Sequence, residues 1–348
     1  MTRVLQVTHR YPPQTGGVET HVRELSERLV TRGHEVTVFS ADAGEAERDA
    51  ERRGGVDIRR FDAFAPAETL YFAPGVAPAV RRHDADIVHA HNYHAFPALF
   101  AVIGSTDTPF VFTTHYHGSS ASAVRDRLLS LYEPLGGWTM RQADEVIAVS
   151  EWEHARIRED FGVDAIVIPN GLSVDRFENA SPEDRDGKYL LCVGRLEKYK
   201  GVQHVIRALT QLPEYDLVIA GTGSYREELA RFAEQNGVAE RIEFLGFVPD
   251  ERLPELYAGA NVFLNLSTHE AYGMTVAEAL ASGTPCVVRS RRGLRDWVSE
   301  DSVVDVEAVG SLSVSEAVHE AATLSVTASI PDWDDVTQSV RSVYSRLI

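Results

Sequence analysis

Short apolar runs rich in β-branched residues recur along this chain, separated by stretches in which apolar positions return every three or four residues. The runs at 4–8, 35–39, 56–60, 86–90, 110–114, 145–149 and 165–168 predict parallel strands covered on both faces. Between the first two, Val18, Val22, Leu25 and Leu29 share one helical face over 18–30, and Gly33 marks the stop. The alternation pauses over 169–187, where Pro, Asn, Gly, Ser and acids carry no apolar period and a linker is expected. It restarts with strands at 189–193, 217–220, 241–245, 262–264 and 285–288, and with helices at 202–212, 225–236, 275–281, 313–322 and 335–347. The pattern predicts an α/β chain of two doubly wound domains, 1–170 and 188–332, with 171–187 between them. Such sheets bind ligands beyond the carboxyl ends of their strands, so two facing sheets would share one cleft.

Composition narrows the class. A length of 348 residues suits two domains, and 44% apolar content is enough for two cores. No run approaches the ~18–20 apolar residues of a membrane span, and residues 1–7 lack the form of a signal peptide, so a cytoplasmic protein is expected. Cys192 and Cys286 each lie in an apolar run, where a buried free thiol is expected. A net charge of −18 argues against nucleic acid as a partner. Lys188, Lys198 and Lys200 are the only lysines among 34 basic residues. That bias fits either a high-salt cytoplasm, as in a halophilic archaeon, or an arginine-favouring genome, and the first is preferred here.

Several motifs sit where strands end. Gly16-Gly17-Val18-Glu19 precedes a helix, where glycine admits close backbone approach and free N–H groups attract an anion; a plain tight turn is the alternative. Gly221-Thr222-Gly223 also follows a strand, but Arg226 fills the third glycine place of the dinucleotide fingerprint, and no Walker sequence occurs. A turn lining a different nucleotide site is expected instead. Residues 193–201 carry Arg195, a planar fork, and Lys200, a mobile point charge, together suited to a diphosphate. A solvated basic turn is the alternative, but two of three lysines fall here in a chain that otherwise dispenses with them. His89, His91, His94, His115 and His117 invite a zinc reading, yet they follow two separate strands and lack the usual ligand spacing, so no metal is expected. His115, at the end of its run, is assigned to hydrogen bonding with a bound sugar.

The segment 267–285 carries the most information. A loop bears Glu270, Gly273 permits close approach, a helix begins near Met274, and Glu278 lies about one turn inside it. A carboxylate that accepts two vicinal hydroxyls can hold ribose or hexose, and the free amides of Gly273 to Thr275 can face an anion or a sugar oxygen.

Taken in order, Gly16-Gly17-Val18-Glu19, Ile168-Pro169-Asn170-Gly171, Val193-Gly194-Arg195 with Lys200-Gly201, Gly221-Thr222-Gly223, 244–248 and the Glu270-x7-Glu278 motif resemble the retaining GT-B glycosyltransferases of family 4. The resemblance covers nearly the whole chain. It implies the GT-B fold of two Rossmann-like domains, with the last helix (about 333–348) returning to the first. It implies that Glu278 holds the donor ribose and Glu270 the donor sugar hydroxyls. Arg195 and Lys200 would neutralise the diphosphate, helped by Gly16 and Gly17, and His115 would touch the sugar. Gly221, Val248 with Phe247, and the loop and helix start Ala271, Tyr272, Gly273, Met274 and Thr275 would complete the donor contacts. The co-substrate would be a UDP- or GDP-linked sugar, with no cofactor and no metal. Residues 291–296 and 302–306 depart from the family pattern, and Tyr272 replaces the usual phenylalanine.

The acceptor is implied only as a glycan or lipid-linked molecule. Residues 119–141 mix Arg125, Arg127, Leu128, Leu129, Leu131, Tyr132, Trp138 and Arg141, a basic amphipathic composition that predicts peripheral membrane contact, against an ordinary core helix. Two rival classes are a GT-B-shaped nucleotide-sugar epimerase, which needs acid/base carboxylates these motifs do not suggest, and a non-catalytic sugar-binding protein, which the Arg195/Lys200 pair disfavours.

Overall fold

The computed structural model describes residues 1–14, 16–42, 51–66, 70–118 and 123–348. It divides into two compact units, Met1–Gly171 with Trp333–Ile348, and Leu172–Asp332.

The first unit contains β1 (Arg3–Thr8), α1 (Gly17–Thr31), β2 (Glu35–Ser40), β3 (Glu51–Arg53), β4 (Val56–Arg60), α2 (Val76–Arg82), β5 (Ile87–His91) and α3 (Pro97–Gly104). It continues with β6 (Phe110–Thr113), α4 (Ala123–Arg141), β7 (Glu145–Ala148), α5 (Glu151–Phe161) and β8 (Ile166–Val167). The eight strands run in the order β3-β4-β2-β1-β5-β6-β7-β8, all parallel except the β3–β4 edge pair. Val4, Leu5 and Val7 of β1 are buried, as a central strand covered on both faces requires. Helix α1 buries Val22, Leu25 and Leu29 against this sheet.

The second unit contains α6 (Val174–Glu178), β9 (Lys188–Val193), α7 (Val202–Ala208), β10 (Tyr215–Ala220), α8 (Arg226–Gln235), β11 (Ile242–Gly246) and α9 (Leu253–Gly259). After these come β12 (Val262–Asn265), α10 (Met274–Ala281), β13 (Cys286–Val288), β14 (Val303–Asp305) and α11 (Ser311–Ala321). Its six strands are parallel, in the order β11-β10-β9-β12-β13-β14. The last helix, α12 (Trp333–Leu347), packs Trp333, Val336, Val340 and Val343 into the core of the first unit beside α1.

One expectation needs correction. Residues 171–187 are not a free linker. The chain passes between units at Gly171/Leu172, and α6 belongs to the second unit, with Phe177 against Tyr257 (6.0 Å between ring centres). Glu183 then binds Arg252 at 2.7 Å, and its amide bonds to the Glu255 carbonyl. A helix of five residues with one buried aromatic is too short to show a period.

Candidate functional site

In the second unit the site is built by loops at the carboxyl ends of β9, β10 and β12. The β9 and β10 loops are locked backbone to backbone: Gly194 N–H donates to Ala220 O at 2.9 Å, and Leu196 N–H to Thr222 O at 2.8 Å. A side chain at Gly221 would place its Cβ 1.9 Å from the Gly194 carbonyl, so the glycine pair serves the packing of these loops. A Cβ added at Gly201 (φ +80°) would likewise run into the Leu266 carbonyl, so glycine there lets the β9 loop sit on the β12 loop.

This seating brings the two sequence motifs together. Lys200 Nζ lies 2.5 Å from Glu270 Oε1, both side chains less than one-fifth exposed. Arg195 is exposed and donates to the Tyr199 hydroxyl at 3.1 Å. Gly273 caps α10 with φ +96°, and Met274 and Thr275 supply the first helical amides, which lack intrahelical acceptors. Asn265 donates to the Thr275 hydroxyl at 3.1 Å and fixes that turn to the end of β12. Val248 is buried beyond β11, whereas Phe247 beside it is 78% exposed.

The segment after β13, atypical in sequence, braces the loop carrying Glu270. The Gly293 amide donates to the Glu270 carbonyl at 3.0 Å, and a Cβ at 293 would sit 2.1 Å from the Ala271 carbonyl. Trp297 Nε1 donates to the Tyr272 carbonyl at 2.6 Å, and the two rings meet edge to face at 5.1 Å. Sequence reasoning passed over Gly293 and Trp297; the only signal was a glycine four residues before a tryptophan in an arginine-rich turn.

Glu278 accepts from the Tyr257 hydroxyl at 2.7 Å. Desolvation pushes its carboxyl up to about 7, with the Tyr257 bond opposing the rise. Because 7 lies above the ordinary 4.5, the folded chain holds this proton more tightly than the unfolded chain. The associated stability is complete below pH ~4.5 and is lost as pH rises through ~7. Glu278→Gln should therefore show a smaller fall in urea midpoint between pH 5 and pH 8 than the wild type; an equal fall would remove Glu278 as the source.

In the first unit, Glu19 of the Gly-Gly-Val-Glu motif turns inward to Arg10 Nε at 2.6 Å, and nothing lies within 4 Å of a Cβ built at Gly17. Gly16 stands exposed beside it in extended conformation. His89 is a core residue bonded to Tyr344 and Thr113, each at 2.7 Å. His94 stacks on His117 at 3.8 Å. His115 is buried, with φ +47° and Nε2 unpartnered.

His21 of α1, which the sequence did not single out, joins His91 and His115 in one group whose nitrogens lie within 4.8 Å of one another. His21 Nδ1 bonds to Asn170 Oδ1 at 2.9 Å and His91 Nε2 to Gln6 Oε1 at 2.6 Å, so the other nitrogen of each faces the group. Burial holds the pKa of all three well down, that of His21 at about 4, and the rings are neutral near pH 7. Among the described residues this is the group that could hold a metal ion.

Two family models tile the chain: Glycosyltransferase Family 4 matches residues 15–176 and Glycosyl transferases group 1 matches residues 173–322. The phosphatidyl-myo-inositol mannosyltransferase of Mycobacterium leprae is 30% identical over 359 residues, covering 94% of this chain and 92% of the relative. This chain belongs to the family 4, group 1 glycosyltransferases. As a glycosyltransferase it has the GT-B fold. Sucrose-phosphate synthase of Thermosynechococcus elongatus superposes with a TM-score of 0.85 at 20% identity, covering 100% of this chain and 99% of that one. Anabaena HepE, solved with UDP and glucose, superposes at 0.79 with 19% identity and full coverage of both chains. The Lys200–Glu270 pair and the Glu278 carboxyl of this glycosyltransferase thus lie within the group 1 region, and the histidine group's His21, His91 and His115 within the family 4 region.

Proposed function

We propose that the enzyme transfers a hexose from a UDP- or GDP-linked sugar to a glycan or lipid-linked acceptor, with retention at the anomeric carbon and without a metal. The observation that carries this is the 2.5 Å Lys200–Glu270 pair, which sets a cation beside a sugar-hydroxyl acceptor at the ends of two neighbouring strands. As the anomeric C–O bond breaks, negative charge grows on the diphosphate, and Lys200, Arg195 and the α10 amides stabilise it. Glu270 orients hydroxyls of the donor sugar, and Glu278 accepts from the ribose. His115 contacts the sugar as a neutral imidazole. The acceptor oxygen attacks on the face the phosphate leaves, and a departing phosphate oxygen takes its proton.

A lipid-linked acceptor is supported by α4, which exposes Leu131, Leu135 and Trp138 at helical spacing, with Arg127 exposed one turn earlier. Residues 119–122 of that stretch lie outside the described residues. No helix among the described residues is long and apolar enough to cross a membrane. The M. leprae relative is named for a phosphatidylinositol acceptor, which favours the same class.

The test is nucleotide diphosphate release from UDP-, GDP- and ADP-hexoses, with glycan and lipid acceptors, in the presence and absence of EDTA. One donor should be turned over, faster with acceptor and unchanged by EDTA. Loss in EDTA restored by a divalent cation would overturn metal independence and direct attention to His21, His91 and His115.

A further inference from the structure

The most enclosed acid among the described residues of the first unit, Glu153, has no part in the chemistry above. Ser150-Glu151-Trp152-Glu153 has the form of a capping box, and Ser150 caps α5, its hydroxyl accepting the Glu153 amide at 3.1 Å. In that motif the third-position acid returns to the amide of the cap residue. Here Glu153 Oε2 reaches one residue further back, to the Val149 amide at 2.6 Å. Oε1 crosses from the β7 side to the neighbouring β6 side, where it accepts both the Thr114 hydroxyl and the Tyr116 amide. Glu153 has no solvent exposure.

The residue between Thr114 and Tyr116 is His115. Its φ of +47° lies in the left-handed region, which costs a non-glycine residue on the order of 1 kcal/mol and persists only where the surroundings enforce it. Glu153 grips the chain immediately before and immediately after that residue. Asp160, two turns along the same helix, takes the Tyr116 hydroxyl at 2.7 Å, so α5 holds the turn at a second point.

We propose that Glu153 is a positioning residue for His115, its carboxylate fixing residues 114 and 116 so that the His115 imidazole meets the donor sugar. This rests on the role proposed for His115 above. A capping acid serving only α5 would have no need of the two bonds across to β6.

The test is a double-mutant cycle on turnover, using the donor found by the screen. Glu153→Ala should lower kcat about 10²-fold, the loss expected when a reacting group is misplaced by about 1 Å. In a His115→Ala background the same substitution should cost less than about 3-fold, because residues acting as one unit are not additive. Glu153→Gln keeps Oε1 as acceptor for Thr114 and Tyr116 but turns an amide toward the Val149 N–H. It should recover turnover to within about 3-fold while melting at a lower temperature. Should Glu153→Ala fail to fold, Thr114→Val, which removes one of the two bonds, carries the same cycle with a smaller factor. Equal losses in both backgrounds, or no loss in either, overturn the positioning role and leave the His115 assignment standing. Wild-type turnover in His115→Ala overturns both.

Discussion

Lys200→Ala is expected to lower donor turnover about 10²–10³-fold, the range for removing one fixed group that stabilises developing negative charge. The expectation rests on where the ammonium is held. Gly201 lies against the Leu266 carbonyl, and the Thr268 amide bonds to the Tyr199 carbonyl at 3.0 Å, so the loop carrying Lys200 cannot shift to compensate. Arg195 is exposed and tied to Tyr199, and supplies only part of the missing charge. Part of the loss will come from Glu270, which alanine leaves as a part-buried carboxylate without its partner. Comparing the Lys200→Ala, Glu270→Gln double variant with Glu270→Gln alone separates the two effects: a small further loss would locate the single-variant loss in the unpaired acid, whereas an undiminished one assigns it to the missing cation. Stability should also fall, by about 1–3 kcal/mol, because the largely buried Glu270 carboxylate loses its partner. Turnover within about 3-fold of wild type would remove Lys200 from the diphosphate site.

Much of the framework was legible in the sequence for one physical reason. Central parallel strands are buried on both faces, so 189–193 reads as a continuous apolar run and 4–8 as one broken only by Gln6 and Thr8, and α1 and α12 show a clear helical period. Elements without a period were not. Helix α3 is apolar nearly all round, α6 and α9 are short, and β14 is three residues long. Within the site, local motifs showed which residues carry charge but not which of them meet. Nothing in the spacing of Lys200 and Glu270, seventy residues apart, announces a 2.5 Å pair. The histidines illustrate the same limit: the sequence grouped those close in number, whereas the fold joins His21 to His91 and His115 and sends His89 into the core. Glu153 was detectable in principle, because its capping-box spacing is local, but its reach to Thr114 and Tyr116 depends on β6 and β7 being neighbours.

Gly221→Ala should destabilise the second unit by about 3–5 kcal/mol, combining the strain of a disfavoured φ with overpacking against backbone. The new Cβ would lie 1.9 Å from the Gly194 carbonyl oxygen at a φ of +138°, and the obstacle is backbone rather than a side chain that could rotate away. Neither strand end can retreat cheaply. Gly221 donates to the Gly246 carbonyl at 2.7 Å, and Gly194 to the Ala220 carbonyl at 2.9 Å, so separation breaks bonds on both sides of β10. At a slope near 2 kcal/mol per molar urea, the midpoint should fall by roughly 2 M. Gly237 provides the contrast, since its φ of +68° is also left-handed but nothing lies within 4 Å of a Cβ built there. Gly237→Ala should cost only the backbone term, about 1 kcal/mol. If the two variants lose the same stability, the contact with Gly194 is not what keeps glycine at 221, and its assignment as a donor contact becomes the better explanation.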